Sequence, residues 1–240
     1  MSDRYRLSFD AVADVYERSR PQYAPAGLAW IAERLPLHRV LDLGAGTGKL
    51  TRQLVALGAD VVAVEPGEEM RAVFRRVLPG IEPLEGSAEA IPLAAASVDT
   101  VAVGQAFHWF RLEEALREMH RVLRPGGGYA LLWNEWDDED PLMHALNDVV
   151  DALRPHRAVF DGARKTLEES TLFRGYEERA FRHAEELPAG VVVERVSSVS
   201  AVSAAGPAER ERALAEVREL VGSGAVRFPM VTTIFVADRV

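Results

Sequence analysis

Along most of the chain, apolar runs of strand length alternate with segments of helical period. Residues 39–43 (Arg-Val-Leu-Asp-Leu) form a short β-type run that ends in a glycine cluster. From Thr47 to Leu57, the residues Leu50, Leu54 and Leu57 fall on one helical stripe, and Gly58 stops it. Residues 60–65 (Asp-Val-Val-Ala-Val-Glu) read as a buried parallel strand, because a strand covered on both faces is near-continuously apolar. The pattern then predicts a helix over Glu68–Leu78, closed by Pro79-Gly80, a third strand over Ile81–Glu85 and a fourth over Val98–Val103. Leu112, Ala115, Leu116, Met119, Val122 and Leu123 recur at i, i+3, i+4 and i+7, the mark of an amphipathic helix; Pro125 and Gly126–Gly128 end it. Tyr129–Trp133 is a fifth strand. Such alternation implies a doubly wound α/β sheet, since right-handed crossovers place helices on both faces.

The last third is less regular. Tyr176–Leu187 and Phe228–Ala237 predict two more strands, and Pro207–Val221 a helix with proline in its first turn and Gly222 at its end. Asp137–Gly162 reads as an irregular segment with room for helices over one edge of the sheet. At 240 residues without a linker or repeat, a single domain over 1–240 is expected. The absence of cysteine excludes disulfides, thiol nucleophiles and Cys-ligated zinc. The formal charge of −9 argues against a broad nucleic-acid or anionic-membrane surface. The first 20 residues carry eight charges, unlike a signal peptide, and no uncharged apolar run reaches the roughly 18 residues that span a bilayer. A soluble cytoplasmic protein is expected.

Gly44-Ala45-Gly46-Thr47-Gly48 lies between the first strand and the first helix of this pattern. Open α/β sheets bind ligands at that edge, and glycines let the backbone approach them closely. A phosphate-binding loop needs Gly-Lys-Ser/Thr, but Leu50 follows Lys49, and Leu43 stands five before Gly48. A dinucleotide fingerprint needs a third glycine where Lys49 stands. What remains is G-x-G-x-G, with Glu65 ending the next strand, where a carboxylate can accept both hydroxyls of a ribose. The implied cofactor has a ribose and no pyrophosphate to cradle.

At this point the chain resembles a family. Val40–Gly48 (VLDLGAGTG) is similar to the first motif of class I S-adenosylmethionine-dependent methyltransferases, and Val61–Pro66 to the acidic strand end that comes after it. Gly86–Pro92, Val98–Gln105 and Leu123–Gly128 resemble the family's adenine-side loop, fourth strand and loop before strand five. Phe9-x-x-x-Ala13-x-x-Tyr16-x-x-x-Arg20-Pro21 and Gln105-Ala-Phe-His-Trp-Phe110 look like the small-molecule branch that includes trans-aconitate methyltransferase-like enzymes. One departure stands at Ser87, where the family often has Asp.

The resemblance implies a Rossmann-like, mostly parallel seven-stranded sheet with helices on both faces and an antiparallel last strand. Residues 1–30 would form a helical lid, 36–135 the cofactor-binding core, and 136–240 further helices and edge strands. S-adenosylmethionine would be the donor and S-adenosylhomocysteine the product. Gly44, Ala45 and Gly46 would face the methionine and ribose portion, and Asp42 would order their loop. Glu65 and Pro66 would lie at the ribose, Ser87 and Ala88 at the adenine, and Gln105 beside the methionine. Arg20 would pair with the cofactor's carboxylate, or else be a solvated surface arginine.

Methyl transfer from a sulfonium is an in-line displacement that asks the protein for positioning and water exclusion. A base is needed only when the acceptor carries a proton. His108 is read either as a base or hydrogen-bond donor to substrate, or as packing at a strand–helix corner. The acidic run Glu135–Asp140 reads as a solvated loop, with no metal expected. The acceptor is expected to be an O or N atom of a small molecule, a carboxylic acid or secondary metabolite. Rival readings are an RNA or protein methyltransferase, a nicotinamide-dependent oxidoreductase, and a cofactor-binding protein without turnover. A monomer or a homodimer fits the pattern equally.

Overall fold

A computed structural model describes residues 17–153 and 159–240. The described residues divide into two compact units, the larger comprising 22–133, 159–181 and 232–240, the smaller comprising 17–21, 134–153 and 182–231. The expected lid over 1–30 lies partly outside the described residues, as do Phe9, Ala13 and Tyr16.

In the larger unit, α1 (Pro25–Arg34) precedes the strands β1 (Arg39–Leu43), β2 (Asp60–Val64) and β3 (Val98–Gly104). Helix α2 (Lys49–Ala56) connects β1 to β2, and α3 (Glu68–Val77) lies between β2 and β3. Helix α4 (Leu112–Val122) leads into β4 (Leu123–Trp136). β1 pairs in parallel with β2 and β3, and β3 with β4. With β5 (Phe173–Pro188) and β6 (Ala225–Arg239), the sheet order is β2-β1-β3-β4-β6-β5, with the last strands antiparallel.

The period of two sorts the sheet's side chains onto two faces. Leu41, Leu43, Val101, Val103 and Leu131 pack with Leu116, Met119 and Val122 of α4. Val40, Ala102, Ala130 and Leu132 pack with Leu28 and Ile31 of α1 and Leu50 and Leu54 of α2. Parallel strands covered on both faces explain the unbroken apolar runs in the sequence.

The sheet has six strands where seven were expected. Residues 81–85 make only an isolated parallel bridge beside β2, at Val64 and Leu84. Leu84 donates to Ala63 O and accepts from Glu65 N, and among the described residues no further bridge extends this pairing with β2. β4 is longer than Tyr129–Trp133 because the Pro125–Gly128 stretch, read as a breaker, is absorbed as a register shift between the Val98–Leu123 and Thr100–Gly128 pairs.

The smaller unit holds α5 (Pro141–Asp151), α7 (Ala189–Ser197), α8 (Ser200–Ser203) and α9 (Pro207–Val221), while α6 (Val159–Glu168) belongs to the larger. Met143, Leu146, Val192, Val196, Val202, Val217 and Phe228 form the smaller unit's core. The helices for which Asp137–Gly162 has room are α5 and the start of α6. Asp140 caps α5 by accepting from the N–H groups of Leu142 and Met143, with Pro141 in the first turn. Among the described residues, no helix is long and apolar enough to cross a membrane.

Candidate functional site

The carboxyl ends of β1, β2 and β3 bring the glycine loop, Glu65 and the 105–110 segment to one edge of the sheet. Gly44 and Gly46 have φ of +72° and +55°, in the left-handed region. A Cβ at Gly44 would fall 2.7 Å from Ala106 Cβ and 3.6 Å from Phe110 Cζ, so only glycine lets the loop close against that segment. At Gly46 a Cβ would meet nothing within 4 Å: the backbone borders open space.

The loop is held from β2. Gly44 and Ala45 both donate to Val64 O, at 2.8 and 3.1 Å. Glu65, 8% exposed, accepts from Gly46 N through Oε2 (2.9 Å) and from Gly67 N through Oε1 (2.8 Å). A carboxylate offers about four lone-pair positions, so one oxygen can accept from a backbone N–H and a ribose hydroxyl together. Pro66, next in the chain, is exposed.

Asp42 is 1% exposed and faces α2, where Thr51 Oγ1 donates to its Oδ2 at 2.5 Å. Gly44, Ala45 and Gly46 donate to Val64 and Glu65, while Asp42 reaches the helix. Burial pushes its carboxyl up to about 7; the Thr51 hydrogen bond opposes this and the Glu65 charge adds to it. Its Oδ1 is buried with no hydrogen-bond partner among the described residues. A ribose-bearing cation fits this set: an acidic pair, a buried acceptor without a donor, and glycine backbone open to a ligand.

Ser87 and Ala88 come after the bridge at Leu84, Ser87 half-buried and accepting at its carbonyl from Ala90 N, Ala88 buried. Gln105 has a φ of +58°, which a residue with a side chain adopts only when its surroundings impose it; its N–H donates to Leu132 O. His108 sits in a 3₁₀ turn (Phe107–Trp109), with Trp133 Nε1 donating to its Nδ1 at 3.3 Å. These residues all lie in the larger unit, which brings Asp42, Gly44, Ala45, Gly46, Glu65, Ser87, Ala88, Gln105 and His108 into one body.

Arg20 lies in the smaller unit, half-buried, with Nη2 donating to Ser198 O at 2.9 Å. There the acidic run is used by its own unit. Asp137 and Glu139 pair with Arg182, Asp138 accepts from Asn147 Nδ2 and contacts His144, and Asp140 caps α5.

Two arrangements escaped sequence reasoning. Arg71, 5% exposed, donates through Nη1 to the carbonyls of Glu65 (2.8 Å) and Pro66 (2.7 Å), and through Nη2 to Glu68 and Glu85. One guanidinium thus joins the loop carrying Glu65 to the segment leading into Ser87. On α4, Glu118 accepts from Ile91 N, and Arg121 donates to the carbonyls of Ile91 and Leu93 and pairs with Glu118, pinning the other end of that segment. The signal available was position: Arg71 shares the stripe of Met70, Val73 and Phe74, where a charge must be paired.

Comparison with known proteins places the chain among methyltransferases. A family profile described as a methyltransferase domain matches residues 41–131. An uncharacterized methyltransferase of Schizosaccharomyces pombe is 34% identical over 220 residues, 88% of this chain and 85% of that protein. An uncharacterized methyltransferase of Mycobacterium tuberculosis is 48% identical over 144 residues, 60% of this chain; the match spans only 59% of that relative's length. A solved structure from Anaeromyxobacter dehalogenans, assigned to the methyltransferases, aligns with a TM-score of 0.68 at 28% identity, covering 92% of this chain and 97% of that one. The chain belongs to the class I S-adenosylmethionine-dependent methyltransferases.

Proposed function

We propose that this protein transfers a methyl group from S-adenosylmethionine to an oxygen or nitrogen atom of a small molecule, a carboxylic acid or secondary metabolite. The observation that carries the reading is the buried Glu65 carboxylate, held by Gly46 N and Gly67 N beside an open glycine loop. Glu65 would take the ribose hydroxyls, with Pro66 alongside. Gly44, Ala45 and Gly46 would border the ribose and methionine part, Ser87 and Ala88 the adenine, and Gln105 the methionine end.

When bound, the cofactor supplies a methyl group activated on a sulfonium. This chain's residues orient the two partners in line and exclude water, since positive charge disperses as the methyl moves and sulfur needs no proton. The net charge of −9 supports a small acceptor over a nucleic acid. Calorimetric titration with S-adenosylhomocysteine, with NAD⁺ as control, tests the cofactor. Micromolar binding of the thioether alone is expected; binding of NAD⁺ instead overturns the reading in favour of a nicotinamide enzyme.

A further inference from the structure

His108 lies on the segment against the glycine loop: a Cβ at Gly44 would strike Ala106 Cβ at 2.7 Å and touch the Phe110 ring at 3.6 Å. Two roles are open to an imidazole there, base or donor, and they require opposite states of the ring. The deciding contact comes from β4. Trp133 is 3% exposed and wedged edge-on between Phe107 (centroids 6.2 Å) and Phe235 (5.3 Å), so its indole is fixed by packing. Its Nε1–H points at His108 Nδ1 at 3.3 Å. An indole N–H can only donate, so the ring nitrogen facing it must accept. A neutral imidazole carries one hydrogen, and with Nδ1 accepting, that hydrogen is on Nε2. A second proton at Nδ1 would set two N–H groups against each other inside the core.

We infer that Trp133 is a positioning residue that holds His108 as the neutral Nε2–H tautomer, making it a hydrogen-bond donor and not the base of the methyl transfer. An acceptor reaching His108 at Nε2 meets an N–H, and a proton leaving that acceptor has no vacant nitrogen on the ring. The displacement balances without His108 taking a proton: the acceptor's lone pair forms the bond to the methyl carbon, and the C–S bond pair returns to sulfur. An acceptor served by this ring therefore arrives without a proton to lose, or gives it to water. The consequence rests on the methyl-transfer reading; the tautomer does not.

The test is long-range ¹H–¹⁵N correlation of the imidazoles in uniformly labelled protein near neutral pH, alone and with excess S-adenosylhomocysteine. His108 is assigned as the set of peaks missing in His108→Gln. The expected pattern is that of Nε2–H with an unprotonated Nδ1 in the wild type, and its loss to a tautomer mixture in Trp133→Phe. An Nδ1–H or doubly protonated ring in the wild type overturns the inference, as does an unchanged single tautomer in folded Trp133→Phe. If that variant does not fold, the wild-type spectrum still decides. Absence of thioether binding in the same samples would sink the cofactor reading while leaving the tautomer readable.

Discussion

Arg195 in the smaller unit and Arg71 in the larger are both almost completely buried, and the two do different work. Arg195, 3% exposed, donates through Nε to Ser19 O, pairs through Nη2 with Glu185 at 2.6 Å, and lies over the Phe228 ring at 4.8 Å. It ties one helix to its own unit's core. Arg71 is nearly as buried, yet its partners are the backbone of Glu65 and Pro66 and the carboxylates of Glu68 and Glu85, on segments that carry candidate cofactor residues. Guanidinium chemistry is the same in both places; what differs is whether the groups it immobilises belong to a core or to a binding loop. The comparison predicts that the first arginine matters for folding and the second for affinity.

The largest expected effect breaks the first half. Arg195→Leu should cost on the order of 3 kcal/mol, because it strands a carboxylate and a buried carbonyl, and urea unfolding will measure it. Its effect on S-adenosylhomocysteine affinity should be smaller than that of Arg71→Leu. Next comes Glu65→Ala, expected to weaken thioether binding roughly 100-fold by calorimetry, the value of two hydrogen bonds to a charged acceptor.

Asp42 gives a pH signature. Its native value of about 7 lies above the unfolded 3.8, so the folded state holds the proton more tightly. Its contribution to stability is therefore greatest below about pH 4, declines between about 4 and 7, and is flat above. Urea midpoints at pH 5 and pH 8 should show a fall in the wild type that is smaller in Asp42→Asn, by roughly 2 kcal/mol. Comparing the two proteins cancels carboxylates with the opposite trend, such as Glu118, held below its usual value by Arg121.

Arg71→Leu should weaken thioether binding about tenfold by calorimetry, with rescue by an Arg71→Lys variant incomplete because an ammonium cannot span both carbonyls and both carboxylates. The smallest effect belongs to Tyr129. Its hydroxyl is buried with no hydrogen-bond partner among the described residues, and burial pushes the phenol's pKa above its usual 10. Tyr129→Phe should leave stability unchanged or raise it by up to about 1 kcal/mol in urea unfolding.

The parallel core was legible in its apolar runs, and with it the edge of the sheet where Gly44, Gly46 and Glu65 meet. Gly44, Gly46 and Glu65 are adjacent in pattern to the strands that place them, so local spacing carried them into one site. The strand expected over 81–85 shrinks to a single bridge at Leu84, because pairing with β2 is decided by how the segment packs and not by its own apolar pattern. Asp140-Pro141 is an N-cap with a first-turn proline after it, a helix start hidden inside a run read only for its charge. Trp133 and His108 are 25 residues apart, and Arg71 and Glu85 are 14 apart. Those contacts depend on tertiary packing, which no local period encodes.

The most direct test of the central claim is the crystal structure of the S-adenosylhomocysteine complex. The account predicts both ribose hydroxyls on the Glu65 carboxylate, the amino-acid end against Gly44–Gly46, and the adenine beside Ser87 and Ala88. A thioether bound elsewhere, or a ribose with neither hydroxyl on the Glu65 carboxylate, would contradict it.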